Sequence, residues 1–289
     1  MKVLVTGSGG QLGQTLLASP PAGIQLIGLD LPELDLTNQE QVRTVVAQAS
    51  PDVIINTAAY TAVDLAESEE TLATLTNVDG VANLAQAALV TGARVIHLST
   101  DFVFDGLATT PYQPDAEANP TSVYGLTKYA GEKRLRDIMP NNSVVLRTAW
   151  LYSAVGKNFV NSMLNLMTER DEISVVDDQV GSPTWAGSLA GAIFAFVTKP
   201  EVSGTYHWTD SGQASWYEFA CAIQDEAFAL GQLDKMIGIR PIPSSEYPVP
   251  ARRPAYSVLD CSETEQLLGI EATPWRESLC AMLRERTAQ

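Results

Sequence analysis

The chain has 289 residues, 45% of them hydrophobic, and its 34 Asp and Glu outnumber 18 Lys and Arg to give a net charge of -16. That is enough apolar material for a large core without covalent staples. So acidic a surface repels nucleic-acid phosphates and anionic lipid, which argues against non-specific binding to either. Cys221, Cys261 and Cys280 form no CxxC pair and leave an odd count, so no disulfide framework or zinc site is expected. The apolar run before TGSGG is too short for a signal-peptide core, and Ser188 to Val197 is too short to span a bilayer, so a cytoplasmic location is expected.

In chain order, β-branched runs start at Lys2 (KVLVT), Ile24 (IQLIGLD), Asp52 (DVIINTA), Arg94 (RVIHLST) and Ser143 (SVVLRT). Helical stretches alternate with them, from Gln11 to about Ser19, Asn38 to Ala49, Glu69 to Thr91 and Tyr124 to Met139. This alternation predicts βαβ units, hence an α/β fold with a Rossmann-type doubly wound parallel sheet over residues 1–150. Residues 151–289 read as a smaller, irregular substrate-binding domain: an apolar helix near Asn158 to Met167, a turn-rich DDQVGSPT, a proline-rich stretch before PARRP, and a last helix near Thr273 to Glu285. Its strand-like GTYHWT, about residues 204–209, is expected to return to the first sheet.

Directly after the first strand, Gly7, Gly10 and Gly13 form GxxGxxG at the start of a helix. Glycines there permit a tight turn and close backbone approach to a pyrophosphate at the helix N-terminus. Asp30 ends the second strand, where a carboxylate accepts hydrogen bonds from ribose hydroxyls; on its face this favours NADH over NADPH, unless an arginine or a loop rearrangement accommodates a 2′-phosphate. Asp35 and Leu36 follow in LDLT and would place a carboxylate and an apolar side chain at the adenine.

Ser99 and Thr100 end the fourth strand, and strand alternation lets only one hydroxyl face the cleft. The spacing alone leaves that choice open. Tyr124 and Lys128, four apart in YGLTK, share one helix face. An ammonium beside a phenol favours the phenolate, the tuning expected of an acid in carbonyl reduction, with hydride coming from a nicotinamide. Arg252 and Arg253 are candidates for a substrate diphosphate, or else partners of surface acids. Trp150 would stack on a sugar or base, or else fill a core position.

The strings TGSGGQLG, DVIINTAAYTAVDLAES, HLSTDFVFDG, YGLTKYAGE, RTAWLY, DQVGSPT, GTYHW and PARRP, spanning residues 6 to 254, resemble the dTDP-4-dehydrorhamnose reductase branch of the extended short-chain dehydrogenase/reductase superfamily. The resemblance implies reduction of the 4-keto group of a dTDP-6-deoxyhexulose by NADPH or NADH, the last step of dTDP-rhamnose synthesis. It implies Tyr124 as proton donor, Lys128 as its partner and Thr100 rather than Ser99 as the tuning hydroxyl. Gly10, Gln11, Leu12, Asp30, Asp35, Leu36, Ala59, Tyr60, Thr61 and Leu98 would lie along the cofactor, and Thr100, Asp101 and Trp150 would touch the sugar nucleotide. Some dimers of the family bind magnesium through two glutamates, but the matching positions here are Thr15 and Gly187, so no metal is expected and the chain should be a monomer or a homodimer that is not metal-bridged. Two other readings of the same fold are a sugar-nucleotide epimerase and a non-catalytic subunit similar to the regulatory subunit of methionine adenosyltransferase.

Overall fold

The computed structural model describes residues 1–288. Six strands, β1 (Lys2–Thr6), β2 (Gln25–Leu29), β3 (Val53–Asn56), β4 (Arg94–Thr100), β5 (Ser143–Thr148) and β6 (Gly204–His207), form one sheet in the order β6-β5-β4-β3-β1-β2. Every pairing in it is parallel. Chain order reverses at β1, which has β2 on one side and β3 on the other, so the crevice outside the carboxyl ends of β1 and β3 is the expected ligand site.

The two faces of the sheet can be traced to alternating residues. Val3 and Val5 of β1, Ile55 of β3, Ile96 of β4 and Leu146 of β5 join a cluster with Leu12 and Leu16 of helix α1 (Gln11–Ala18) and with the apolar helix Ala186–Val197. Leu4, Ile54, Val95 and Val145 point to the other face, where they pack with α2 (Gln39–Ala49), α3 (Gly80–Thr91) and Leu135 of α4 (Val123–Ile138). Period-2 alternation with apolar residues on both faces is what a sheet covered on both sides requires. Side chains fix the helix starts: Asn38 accepts from the Gln41 N–H, and Ser122 from the Gly125 N–H.

A second apolar cluster joins the helices Phe159–Glu169, Trp216–Ala229 and Trp275–Ala288 with the paired parallel strands Glu172–Val176 and Gly238–Ile242. Among the described residues no helix is long and apolar enough to cross a membrane.

The helix expected from Glu69 to Thr91 is interrupted. A π-turn at Leu75–Asp79 separates the short helix Glu70–Thr74 from α3. Asn77 in that turn is almost completely buried; its amide oxygen accepts the Tyr60 N–H, and its Nδ2 donates to Tyr60 O and to Thr127 Oγ1 of α4. A buried amide that must satisfy three partners outside its own helix widens the turn there.

Candidate active site

The carboxyl ends of the strands open into a cavity of about 630 Å³. Its nucleotide side is the glycine turn. Gly7 has a φ of +68°, and a Cβ on it would lie 2.6 Å from the backbone nitrogen of Ala58; a Cβ on Gly13 would lie 2.4 Å from Gly7 O. Only glycines allow this turn to close against the backbone that follows β3 and against itself. Gly10 N donates to Gly7 O at 3.0 Å, and α1 starts at the next residue, leaving its first-turn N–H groups at the cavity.

Asp30 sits at the rim with both oxygens engaged. Oδ2 accepts the Gly9 N–H at 2.7 Å and Oδ1 the Leu31 N–H at 2.8 Å, so the carboxylate braces the glycine turn as well as facing the cavity. Asp35 caps its own turn by accepting from Thr37 N and Thr37 Oγ1, while Leu36 is buried against Gly80. Ala59, Thr61 and Leu98 also line the cavity. Tyr60 does not: its hydroxyl donates to Glu69 Oε2 at 2.7 Å, and its backbone is held by Asn77. An irregular segment has no period from which that outward rotation could be read.

At the end of β4 the two hydroxyls diverge. Ser99 Oγ donates to the buried Glu132 Oε1 at 2.5 Å, whereas Thr100 Oγ1 accepts the Phe102 N–H at 3.2 Å and donates to Asp101 Oδ1 at 3.0 Å, beside the Tyr124 phenol. Burial pushes Tyr124 up to about 12; the Thr100 hydroxyl draws it down and the charge of Asp101 raises it further. The tuning expected from Lys128 is therefore not the dominant influence among the protein's own groups, because the lysine is turned toward β4. Its Nζ donates to Leu98 O at 2.7 Å, and burial lowers its pKa to about 8 against the opposing pull of Glu132. Asp101, itself buried, is pushed up to about 6, offset in part by the neighbouring Ser257 and Thr100 hydroxyls.

The opposite wall is aromatic and cationic. Trp150, just past the end of β5, adopts a φ of +47° and stacks on Trp216, with Gly181 against its ring. A left-handed backbone at a tryptophan is strained, and such strain collects at functional sites. Of the two arginines only Arg253 lines the cavity, where its Nη2 meets Asp64 Oδ2 at 3.0 Å; Arg252 is exposed and lies outside the lining. Both belong to a stretch without regular structure, so no spacing encodes which way either side chain faces.

Gln11, Lys157, Gln179, Trp216 and Ser257 line the cavity as well, and of these the sequence pointed only to Gln11. Gln11 Oε1 accepts from Asn158 Nδ2 at 2.9 Å and Ser153 Oγ at 3.1 Å, which ties the glycine-turn helix to the loop carrying Lys157. Asp101 Oδ2, Thr148 Oγ1 and Arg253 Nε are buried beside the cavity without a hydrogen-bond partner among the described residues. Buried polar atoms are costly to leave unmatched, so a polar ligand suits this end. The glycine cradle likewise suits a diphosphate. Among the described residues no group of three or more His, Cys, Asp or Glu is placed to hold a metal. Thr15 Oγ1 donates to Gln11 O, and Gly187 lies under the Trp185 ring.

A doubly wound sheet, a glycine turn at its switch point and a threonine, tyrosine and lysine at one cavity define a nicotinamide-dependent oxidoreductase of the Rossmann type. The RmlD substrate binding domain family matches residues 1–288. The chain is 40% identical to the dTDP-4-dehydrorhamnose reductase of Aggregatibacter actinomycetemcomitans, covering 96% of this chain and 97% of that one. It is also 40% identical to the Burkholderia thailandensis dTDP-4-dehydrorhamnose reductase over the whole of both chains. The crystal structure of the Clostridium acetobutylicum dTDP-4-dehydrorhamnose reductase superposes with a TM-score of 0.92 at 39% identity, covering 99% of this chain and 100% of that one. That of the Bacillus anthracis enzyme, in complex with NADP, also gives 0.92, at 37% identity and with 98% and 99% covered. This chain belongs to the dTDP-4-dehydrorhamnose reductase family.

Proposed function

We propose that this chain reduces the 4-keto group of dTDP-4-dehydro-L-rhamnose (dTDP-6-deoxy-L-lyxo-4-hexulose) to give dTDP-L-rhamnose, using NADH or NADPH, as the last step in supplying the activated sugar. The observation that carries this reading is the meeting of the glycine cradle with Thr100, Tyr124 and Lys128 in one cavity of a chain that is 40% identical to such reductases. When bound, the reduced nicotinamide supplies the hydride.

The roles of the side chains follow from their chemistry. Gly7, Gly10, Gln11 and Leu12 hold the cofactor diphosphate at the start of α1, Asp30 takes the adenosine ribose, and Asp35, Leu36, Ala59, Thr61 and Leu98 border the rest of that side. Tyr124, with its pKa at about 12, keeps its proton at neutral pH and releases it to the C4 oxygen as negative charge develops there. The Thr100 hydroxyl steadies that oxygen, and Lys128 would bring its positive charge to the nicotinamide ribose. Asp101 and Trp150 border the sugar, and Arg253 binds the substrate diphosphate by exchanging its partner Asp64 for phosphate oxygens.

The cluster built from the helices Phe159–Glu169, Trp216–Ala229 and Trp275–Ala288 supports a division into a nucleotide-binding part, residues 1–150, and a mainly substrate-binding part, residues 151–289, which returns the helix Ala186–Val197 and the strand Gly204–His207 to the first sheet. Thr15 and Gly187 offer no carboxylate, so the chain acts as a monomer or as a homodimer without a bridging metal. A cytoplasmic location fits this role.

The test is an assay of both cofactors with the dTDP-4-keto sugar. Reduced nicotinamide is consumed only when that sugar is present, and Tyr124→Phe lowers turnover by roughly 10²-fold or more. Undiminished turnover in the variant removes Tyr124 from its role, and no turnover by the unaltered protein removes the function.

A further inference from the structure

Helix α4 carries a third functional group one turn beyond the reactive pair. Tyr124, Lys128 and Glu132 are spaced four apart on one face, and Glu132 has no exposed surface at all. A carboxylate so placed is far too costly to bury for packing alone. It is held by three hydrogen bonds: Oε1 accepts from Ser99 Oγ at 2.5 Å and Arg147 Nε at 2.9 Å, and Oε2 from Arg147 Nη2 at 2.8 Å. These partners come from β4 and β5, so the network pins α4 to two strands of the sheet.

The neighbour of Ser99 is Leu98, whose carbonyl oxygen receives the Lys128 ammonium. Glu132 thus fixes Lys128 from both ends, through the helix that carries the lysine and through the strand residue next to the carbonyl that holds it. We propose that Glu132, clamped by Arg147 and Ser99, is a positioning residue that places Lys128 and keeps its ammonium charged during the reduction. The inference rests on the reductase reading of the cavity.

Its electrostatic side is supported by the surroundings of Lys128. Among the described residues, Glu132 is the group that raises the lysine against burial. From β4, His97 is fully buried and held well below its ordinary value by burial and by Lys128, so it is neutral. Asp101, after β4, acts on Tyr124, and Tyr124 itself is protonated. From β5, Arg147 is committed to Glu132 and Pro114 O. The π-turn presents neutral Asn77, its Asp79 being exposed, and α3 carries no titratable side chain. The acids near the start of α4 are engaged at its outer end, Glu67 with the Val123 N–H and Asp64 with Arg253, while Glu70 is exposed.

The experiment compares pH profiles of kcat for the unaltered enzyme, Glu132→Gln, Glu132→Asp and the double variant Glu132→Gln/Arg147→Gln, with KM for cofactor and sugar nucleotide. The double variant leaves no uncompensated buried arginine and guards against misfolding of the single one. The expected result is a basic limb displaced to lower pH in both Gln variants, about tenfold less turnover near pH 8.5, partial recovery on acidification, and a limb returned toward the original in Glu132→Asp. KM should change much less than kcat. A loss that is uniform across pH, or profiles superimposable on the unaltered one, overturns the proposal. Turnover by the unaltered enzyme keeps such a failure separate from failure of the reductase reading.

Discussion

The indole rings of Trp150 and Trp216 lie face to face, with centroids 3.4 Å apart and planes 4° from parallel. They come from just past the end of β5 and from the first residue of a helix in the second apolar cluster, so the pair joins the sheet to the part of the chain that closes the cavity. Trp216 covers one face of Trp150, and Gly181 lies against the same ring. Trp216→Ala removes that backing and frees a ring whose backbone is strained. The expected outcome is a rise in KM for the sugar nucleotide of roughly tenfold, with a smaller change in kcat, because aromatic contacts of this kind are worth about 1 kcal/mol or more. Steady-state kinetics with varied sugar nucleotide at saturating cofactor checks it, and an unchanged KM would show that Trp150 keeps its position without its partner.

Asp30 faces two demands at once, bracing the Gly9 and Leu31 N–H groups and meeting the adenosine ribose. Among the described residues no lysine or arginine borders the cavity between Asp30 and Thr61, so a 2′-phosphate there meets carboxylates at Asp30 and Asp35 without a cation to receive it. Asp30→Ala should therefore raise KM for NADH and shift the ratio of kcat/KM values toward NADPH by about tenfold. An unchanged ratio would assign Asp30 to bracing the turn and take it out of cofactor choice.

The parts of this site that depend on local rules could be read from the residues alone. The glycine turn and the i to i+4 pair Tyr124 and Lys128 are each fixed by one turn or one helix face, whereas strand alternation said only that one of Ser99 and Thr100 faces the cleft and left open which. Trp216, Gln179, Lys157 and Ser257 reach the cavity by long-range packing of separate segments, which no local period encodes. The same limit separates Arg253 from its neighbour Arg252. The electrostatics of the pair were also hidden: spacing puts Lys128 near Tyr124, but burial and the Leu98 carbonyl decide how the lysine acts. In the fold, the alternating runs marked the five strands up to Thr148, whereas the π-turn at Leu75–Asp79 depended on contacts from Asn77 to Tyr60 and Thr127 that lie outside its own helix.

Asp101 gives a stability prediction with a definite sign. Burial raises its folded-state pKa from 3.8 to about 6, so between those values the folded chain holds a proton that the unfolded chain has lost. Stability from this group is present below about pH 4, falls as pH rises through 6 and is flat above it. The displacement corresponds to roughly 3 kcal/mol at neutral pH. Asp101→Asn, which stays neutral, should melt at a higher temperature than the unaltered protein at about pH 7.5, with the difference closing near pH 4, while its KM for the sugar nucleotide rises. Equal melting temperatures at the higher pH would mean that the carboxylate is stabilised by more than Thr100 and Ser257.

Two helical glycines should respond in opposite directions to the same substitution. Alanine is favoured over glycine in a helix by about 1 kcal/mol, so wherever there is room the change stabilises. Gly191 lies in the helix Ala186–Val197, and a Cβ added to it would meet no atom of another part of the described chain within 4 Å. Gly191→Ala should therefore raise the melting temperature by a few degrees. At Gly131 in α4 an added Cβ would lie 2.1 Å from the carbonyl oxygen of Asn77. The contact is with backbone of the π-turn, which cannot rotate away, and overpacking of this kind costs about 1–3 kcal/mol or more. That exceeds the propensity gain, so Gly131→Ala should lower the melting temperature. Because α4 carries Tyr124 and Lys128, its displacement should also lower kcat. A Gly131→Ala variant as stable and active as the unaltered protein would show that α4 and the π-turn are not in the close contact on which the cavity's geometry depends.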